Sequence, residues 1–323
     1  MKTTPIISVL MSVFNESKAQ IVESVHSMLE QSFSDFELII VNDNPRRDDI
    51  QDIINQFADD RIRIIKNESN IGLAMSMNVA ASQARADIYA RMDADDIAEF
   101  DRFAIEYEII RRPDVDVVFS NFVYIDNESK PIEEKYKRNF LEGPVDSRDI
   151  ALRPSLIHHP TVMMKRNIFE KVGGYRDFPC AQDSDLWMRM QENGALFYRI
   201  SKPLMRYRIN PKGTTQKKYF KQQLTAHYIF SLSIERMTMG KDSFSKDNYE
   251  AYMKRCGIDS IYKERCFHNG IALLRKAKEK IGVIKIWYRI AAFAISPQHR
   301  KYYNMVKYKK SLLHENISNH SEF

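Results

Sequence analysis

Three aspartates fall within four residues, Asp93, Asp95 and Asp96, directly behind the apolar run Asp87-Ile88-Tyr89-Ala90-Arg91-Met92. Carboxylates this crowded repel one another unless a proton or a cation sits among them. Mg²⁺ and Mn²⁺ take oxygen ligands and keep positions open for phosphate oxygens beside one or two carboxylates. The cluster therefore suits a metal–nucleoside-diphosphate unit. It equally suits a solvated acidic turn in which Asp96 caps the next helix. Asp43 closes another apolar run, Phe36-Glu37-Leu38-Ile39-Ile40-Val41-Asn42. A carboxylate there can accept a hydrogen bond from a nucleobase N–H, or form an Asx-turn ahead of Pro45. Asp183 and Asp185 sit in Gln182-Asp183-Ser184-Asp185-Leu186-Trp187. One of them could take a proton from an attacking hydroxyl, while Asp183 also suits an N-cap. His159, followed by Pro160, is a lone histidine of the kind that packs or hydrogen-bonds.

Short apolar runs alternating with amphipathic stretches must position these groups. Ile6–Met11, Phe36–Val41, Arg61–Ile65, Asp87–Met92 and Val115–Phe119 read as strands. Between them, helical spacings run from Ser17 through Ile21, Val25, Met28 and Leu29, then through Ile50, Ile53, Ile54 and Phe57. Two further helices are expected at Leu73–Ala84 and Arg102–Arg111. Strands separated by helices predict βαβ units and a parallel sheet, with ligands outside the carboxyl ends of the strands. Asp43 and Asp93–Asp96 lie at such ends. No GxGxxG follows the first strand, which argues against a dinucleotide dehydrogenase. Further on, Met163–Lys165 and Pro203–Ile209 read as strands and Asp185–Met190 as a helix. Beyond Thr215 the chain reads as helical and basic.

The chain has 323 residues, with 44% hydrophobic and 28% charged. That mixture excludes a disordered tail, a collagen-like chain and a polytopic membrane protein, and it leaves room for about two domains. Residues 1–199 carry a net charge of −10 and residues 200–323 a net charge of +16. The three cysteines are too few and too scattered for a disulfide framework, and no Cys/His spacing resembles a zinc site, so a reducing compartment is expected. The N-terminal apolar stretch is short and lacks a small-residue cleavage pattern, so a buried strand is expected there instead of a signal peptide.

Taken in order, these motifs resemble family 2 glycosyltransferases of GT-A fold. The matching segments are Ser8–Asn15, Gln31–Asp43, Asn70–Ala74, Ala90–Asp96, His159-Pro160, Gly173-Gly174-Tyr175 and Gln182–Trp187, across residues 5–210. The resemblance implies an α/β architecture with a Rossmann-like, mostly parallel sheet. It implies a catalytic domain over 1–215, split into a nucleotide-sugar half (1–125) and an acceptor half (126–215), and a basic helical region over 216–323. It places Ser12, Phe14 and Asp43 around uridine and Asp93 on ribose or metal-bound water. Asp95 falls on the divalent metal (Mn²⁺ or Mg²⁺), with Asp93 beside it. Asp96 supports that group or faces the donor sugar, and Asp183 is the catalytic base. The implied reaction is a single in-line displacement that inverts an α-linked UDP-sugar.

Three positions depart from the family pattern. Gln182 replaces a Glu, which removes a charge beside the base and is expected to lower its pKa. Asn44-Pro45-Arg46 replaces Asp-Gly-Ser after the second strand, and Tyr207-Arg208-Ile209-Asn210 lacks the usual final His. Near the end, the apolar segment 281–295 carries Lys285 and Arg289 one turn apart. It suits an interfacial amphipathic helix, or a helix packed on the core with a solvated basic tail. The expected partners are a UDP-sugar, a lipid-linked sugar-diphosphate acceptor (GlcNAc-diphosphate-undecaprenol) and the inner membrane surface, with no nucleic acid. Resemblance to enterobacterial β-1,3-glucosyl- and galactosyltransferases implies O-antigen assembly on the cytoplasmic face in β-1,3 linkage, with glucose the first expectation for the transferred sugar and galactose the second. The competing readings are a nucleotidyltransferase, for which a Gly-rich basic loop after the first strand is missing, and a non-enzymatic adaptor.

Overall fold

The computed structural model describes residues 4–132, 141–209 and 219–320, and the side chains among these as far as residue 314. Contacts divide the chain into two compact units, Met1–Gly213 and Thr214–Phe323.

The first unit is a nine-stranded mixed sheet. Its first strands are β1 (Ile7–Val13), β2 (Phe36–Asn42), β3 (Ile62–Lys66) and β4 (Ile88–Asp93), with the short β5 (Ile97–Ala98) after them. β6 (Val117–Ile125), β7 (Gly143–Pro144), β8 (Val162–Lys165) and β9 (Phe197–Arg208) complete it. The order is β3-β2-β1-β4-β8-β6-β9-β5, with β7 on β9. β3, β2, β1 and β4 run parallel, as do β6 and β9, and β8 is antiparallel to both its neighbours. Helices α1 (Lys18–Leu29), α2 (Asp49–Asn55), α3 (Leu73–Ser82), α4 (Arg102–Ile110), α5 (Ser147–Leu152), α6 (Arg166–Lys171) and α7 (Gln182–Glu192) join the strands. Both faces of the sheet are covered, which is why β1 and β2 are apolar almost throughout instead of alternating. Ile7, Val9 and Met11 enter one core layer while Leu10, Ile39 and Val41 enter the other.

Local chemistry sets the boundaries. Ser17 opens α1 with a capping box: its Oγ accepts from the Gln20 N–H, and Gln20 Oε1 accepts from the Ser17 N–H at 2.8 Å. β6 begins two residues later than the periodicity predicts and runs on to Ile125; β9 begins at Phe197, six residues before the expected start at Pro203. Pro203 misleads because a bulge absorbs it. Ser120 pairs with Ile200 but Asn121 pairs with Pro203, and Asn121 Nδ2 ties down the Ser201 carbonyl at 2.9 Å.

The second unit holds α8 (Tyr219–Met239), α9 (Lys246–Cys256), α10 (Ile261–Lys278), α11 (Gly282–Ile295) and α12 (Pro297–His320). Its core includes Leu224, Ile229, Phe230 and Phe267, and α9 ends at Gly257 in the left-handed region. No described helix is long and apolar enough to cross a membrane. No disulfide joins Cys180, Cys256 and Cys266.

Candidate active site

The carboxyl ends of β1, β2 and β4 bring the candidate residues together. Ser12 on β1 stands in register with Val41 on β2 and with Asp93 on β4. Ser12 is partly exposed, and Phe14 beyond it is exposed. Asp43 follows β2 and is buried. Its carboxylate accepts from Asn67 Nδ2 and from the Ile71 and Gly72 backbone N–H groups, all at 2.9 Å. Asp43 therefore holds the Asn70-Ile71-Gly72 turn against the strand ends. The Asx-turn expected of it belongs to its neighbours: Asn42 Oδ1 accepts from the Asn44 N–H, and Asn44 Oδ1 from the Arg46 N–H.

The acidic cluster closes β4. Asp96 is buried, and its Oδ1 accepts from the Arg208 N–H at 2.8 Å. It does not cap α4, whose N-cap position is Asp101. Burial, then Asp93 and Asp95, pushes its carboxyl well above the usual range. Asp95 is partly exposed; burial, with Asp93 and Glu16 adding repulsion, lifts it to about 7. Asp93 is ion-paired with Arg91, a fully buried cation. A fourth carboxylate joins them. Glu16 accepts from the Phe14 N–H at 2.6 Å and is raised by burial and then, against its backbone hydrogen bonds, by Asp93. Arg208 ties this loop to the sheet. Its Nε donates to the Asp95 carbonyl at 2.7 Å, Nη1 to the Asp126 carbonyl at 2.7 Å and Nη2 to Glu23 at 2.6 Å. Sequence reasoning passed over Glu16 and Arg208. No local pattern in the sequence marks either one. Asn210, where the family's His is missing, lies outside the described residues.

The donor set suits a hard divalent cation. Among the described residues, buried Asp96 Oδ2 has no hydrogen-bond partner, beside carboxyls raised by burial and then by mutual repulsion. Among the described residues no group of three or more Asp, Glu, His or Cys side chains could by itself hold a metal ion. The residues thus fit an ion that leaves much of its coordination to phosphate oxygens and water.

Asp183 and Asp185 separate cleanly. Asp185 is fully buried and paired with Arg189 at 2.8 Å, one helical turn on, which makes it part of the packing. Asp183 keeps partial exposure, and its Oδ1 accepts from the Ser184 N–H at 2.8 Å. It is not the N-cap of α7; that position is Ala181, at φ +57°. The expected lowering of its pKa does not occur. Burial lifts Asp183 to about 6, with Asp93 adding to the rise and backbone N–H groups opposing it. Loss of the charge at Gln182 is outweighed by desolvation.

A buried polar chain lies between the acidic loop and Asp183. Arg91 Nε contacts His159 Nδ1 at 3.3 Å, and His159 Nε2 meets Tyr175 Oη at 2.6 Å. Burial, then Arg91, holds His159 neutral. An arginine can only donate, so Nδ1 is the acceptor and the ring proton sits on Nε2, donated to Tyr175. Asp183 and Asp93 both act on the Tyr175 phenol, whose pKa burial pushes up first.

A Rossmann-like sheet with an acidic loop behind β4 and a separate carboxylate on α7 has the GT-A architecture. The chain belongs to glycosyl transferase family 2, whose sequence model matches residues 8–173, and it is a glycosyltransferase. It is 33% identical over 233 residues to an uncharacterized glycosyltransferase of Methanocaldococcus jannaschii, covering 69% of this chain and 78% of the relative. It is 26% identical over 238 residues to the UDP-Gal:alpha-D-GlcNAc-diphosphoundecaprenol beta-1,3-galactosyltransferase of Escherichia coli, covering 70% of this chain and 84% of that one. Its fold matches S. aureus TarS 1–349, solved in complex with UDP-GlcNAc, at a TM-score of 0.62 and 16% identity, over 97% of this chain and 92% of that 1–349 chain.

Proposed function

We propose that the enzyme transfers a hexose, glucose or galactose, from a UDP-sugar to GlcNAc-diphosphate-undecaprenol. The linkage is β-1,3, and the step belongs to O-antigen or surface-polysaccharide assembly on the cytoplasmic face of a bacterial inner membrane. The observation that carries this reading is that one carboxylate, Asp93, acts electrostatically on both the acidic loop and Asp183. The leaving-group end and the base therefore belong to one site. The GT-A neighbour with bound UDP-GlcNAc supports the donor class, and the galactosyltransferase relative supports the acceptor class and galactose beside glucose.

Ser12, Phe14 and Asp43 line the uridine side. Asp95 and Asp93 would hold Mn²⁺ or Mg²⁺, with Asp96 supporting them; when bound, the ion offsets the charge that grows on UDP as the sugar–phosphate bond breaks. Arg91 neutralises Asp93 from below. Asp183, ionised above about pH 6, accepts the proton of the acceptor hydroxyl as its oxygen attacks the anomeric carbon. One in-line displacement inverts the α-linked donor to a β product. The exposed apolar face of α11 and the basic C-terminal unit hold the enzyme at the membrane surface.

A transfer assay over a panel of UDP-sugars, with GlcNAc-diphosphate-lipid as acceptor and with Mn²⁺ or chelator, tests this. Asp183→Asn is expected to lose roughly 10²–10⁴-fold in turnover with the fold intact. Asp95→Ala is expected to lose turnover as well. Near-parental turnover in either variant removes its assigned role.

A further inference from the structure

The second unit contains a cavity of about 610 Å³ between α9, α10 and the α11–α12 junction. Three cations line it, Arg255, Lys263 and Lys301, and no acidic side chain does. None of the ion pairs among the described residues uses any of the three. All three side chains are exposed at its rim, so an anion seated among them would meet three charge-assisted donors. Unit 2 (214–323) carries a net charge of +12, which steers anions toward it.

The lip of this cavity identifies the anion's other half. Ala294 and Ile295, at the end of α11, form part of the wall. Val283, Trp287, Ile290 and Ala294 succeed one another at spacings of four, three and four, so they make one stripe along the helix. Val283 is 68% exposed, Trp287 66% and Ile290 53%, whereas Ala292, on the opposite side, is fully buried. The helix packs by the side that carries Ala292, with Lys285 and Tyr288 half-buried beside it, and turns the stripe outward. Lys285 and Arg289 lie with Ala292, away from the stripe. An apolar stripe leading to a cation-lined cavity matches an amphiphile whose chains lie along the helix and whose phosphate enters the cavity.

We propose that this cavity binds the phosphate headgroup of an anionic membrane lipid, with the Val283–Ala294 stripe seated among the acyl chains. The site is separate from the catalytic acidic loop, and it deepens the membrane-surface reading, on which it rests.

The test uses the full chain, without donor sugar, so that its outcome is independent of transfer activity. Flotation is measured with phosphatidylcholine vesicles that contain or lack phosphatidic acid. One variant carries Arg255→Gln, Lys263→Gln and Lys301→Gln. A charge-matched control carries Arg275→Gln, Lys276→Gln and Lys278→Gln at the end of α10. Each cation near an anionic surface is worth about fivefold in affinity, so the cavity variant is expected to lose roughly a hundredfold on phosphatidic acid vesicles. The control is expected to lose only a few-fold. Equal losses overturn the site in favour of diffuse charge. A direct readout comes from Cys256 and Cys266, which also line the cavity. Phosphatidic acid vesicles are expected to slow their alkylation, followed peptide by peptide, by about tenfold. Inorganic phosphate and pyrophosphate at the same phosphate concentration are expected to leave it unchanged. Protection by the soluble anions equal to that by vesicles overturns the lipid assignment, and absence of protection by either overturns the cavity as a binding site.

Discussion

At the scale of the residue, burial decides more than neighbouring charge does. Asp183 rises to about 6 because desolvation outweighs the backbone N–H groups that favour its ionised form. A general base must be ionised, so kcat/KM is expected to fall tenfold per pH unit below about 6; a profile flat to pH 5 would separate Asp183 from proton transfer. Asp95, at about 7, has a consequence for stability whose sign is fixed. Its pKa is higher in the folded chain than the ordinary 3.8, so the folded state binds the extra proton between those values. Asp95 therefore costs nothing below about pH 4, destabilises increasingly between about pH 4 and 7, and keeps that full cost above 7. Asp95→Asn, without added metal, is expected to raise the thermal midpoint by roughly 3 °C at pH 8 and to leave it unchanged near pH 4. A uniform rise at both pH values would assign the effect to packing instead. The aspartates were legible in the sequence because three acids in four residues behind an apolar run are conspicuous. Glu16, Arg91 and Arg208 were not, since a single charged residue beside a strand carries no sign of the loop it will meet. Arg208 reaches Asp96 and Glu23 across sequence separations of 112 and 185, which no local pattern encodes.

At the scale of the element, the strands and helices of the first half followed directly from apolar runs and helical spacing, because βαβ units are built from local contacts. The later strands were harder to read. β5 and β7 are two residues long, and β9 hides Pro203 in a bulge; their existence depends on partners far away in the chain. The Gly173-Gly174-Tyr175 turn shows how such a join constrains sequence. Both glycines have positive φ, but only Gly174 is also crowded: a Cβ there would meet Asn78 Oδ1 at 2.7 Å and the Phe169 ring at 3.1 Å, while Gly173 faces open space. Asn78 is needed where it is, since it accepts from the Tyr175 N–H and donates to the Tyr175 carbonyl. Gly173→Ala is expected to cost about 1 kcal/mol from backbone conformation alone. Gly174→Ala adds a steric displacement and is expected to cost about 2–4 kcal/mol. Urea unfolding of the two variants checks the ordering, and equal costs would show that Asn78 and Phe169 yield freely. Gly174→Ala is further expected to reduce turnover, because Tyr175 and His159 shift with the turn.

At the scale of the whole molecule, charge is partitioned, with −10 on residues 1–199 and +16 on residues 200–323. The acidic stretch 1–199 repels an anionic surface, so any attraction to one must come from the basic remainder. That attraction and the apolar stripe of α11 respond differently to salt. The Debye length falls from about 8 Å at physiological ionic strength to about 3 Å at 1 M, which screens the charges and leaves burial of Val283, Trp287 and Ile290 intact or strengthened. Binding of the full chain to phosphatidic acid vesicles is therefore expected to weaken at least about tenfold in 1 M salt without vanishing. Trp287→Ser with Ile290→Ser removes the apolar contribution and is expected to abolish the salt-resistant fraction while preserving the salt-sensitive one, since no charge has changed. Flotation at the two ionic strengths separates the contributions. If the double variant kept its binding at 1 M salt, the exposed stripe would not be what enters the bilayer, and the attraction of this chain to membranes would rest on charge alone.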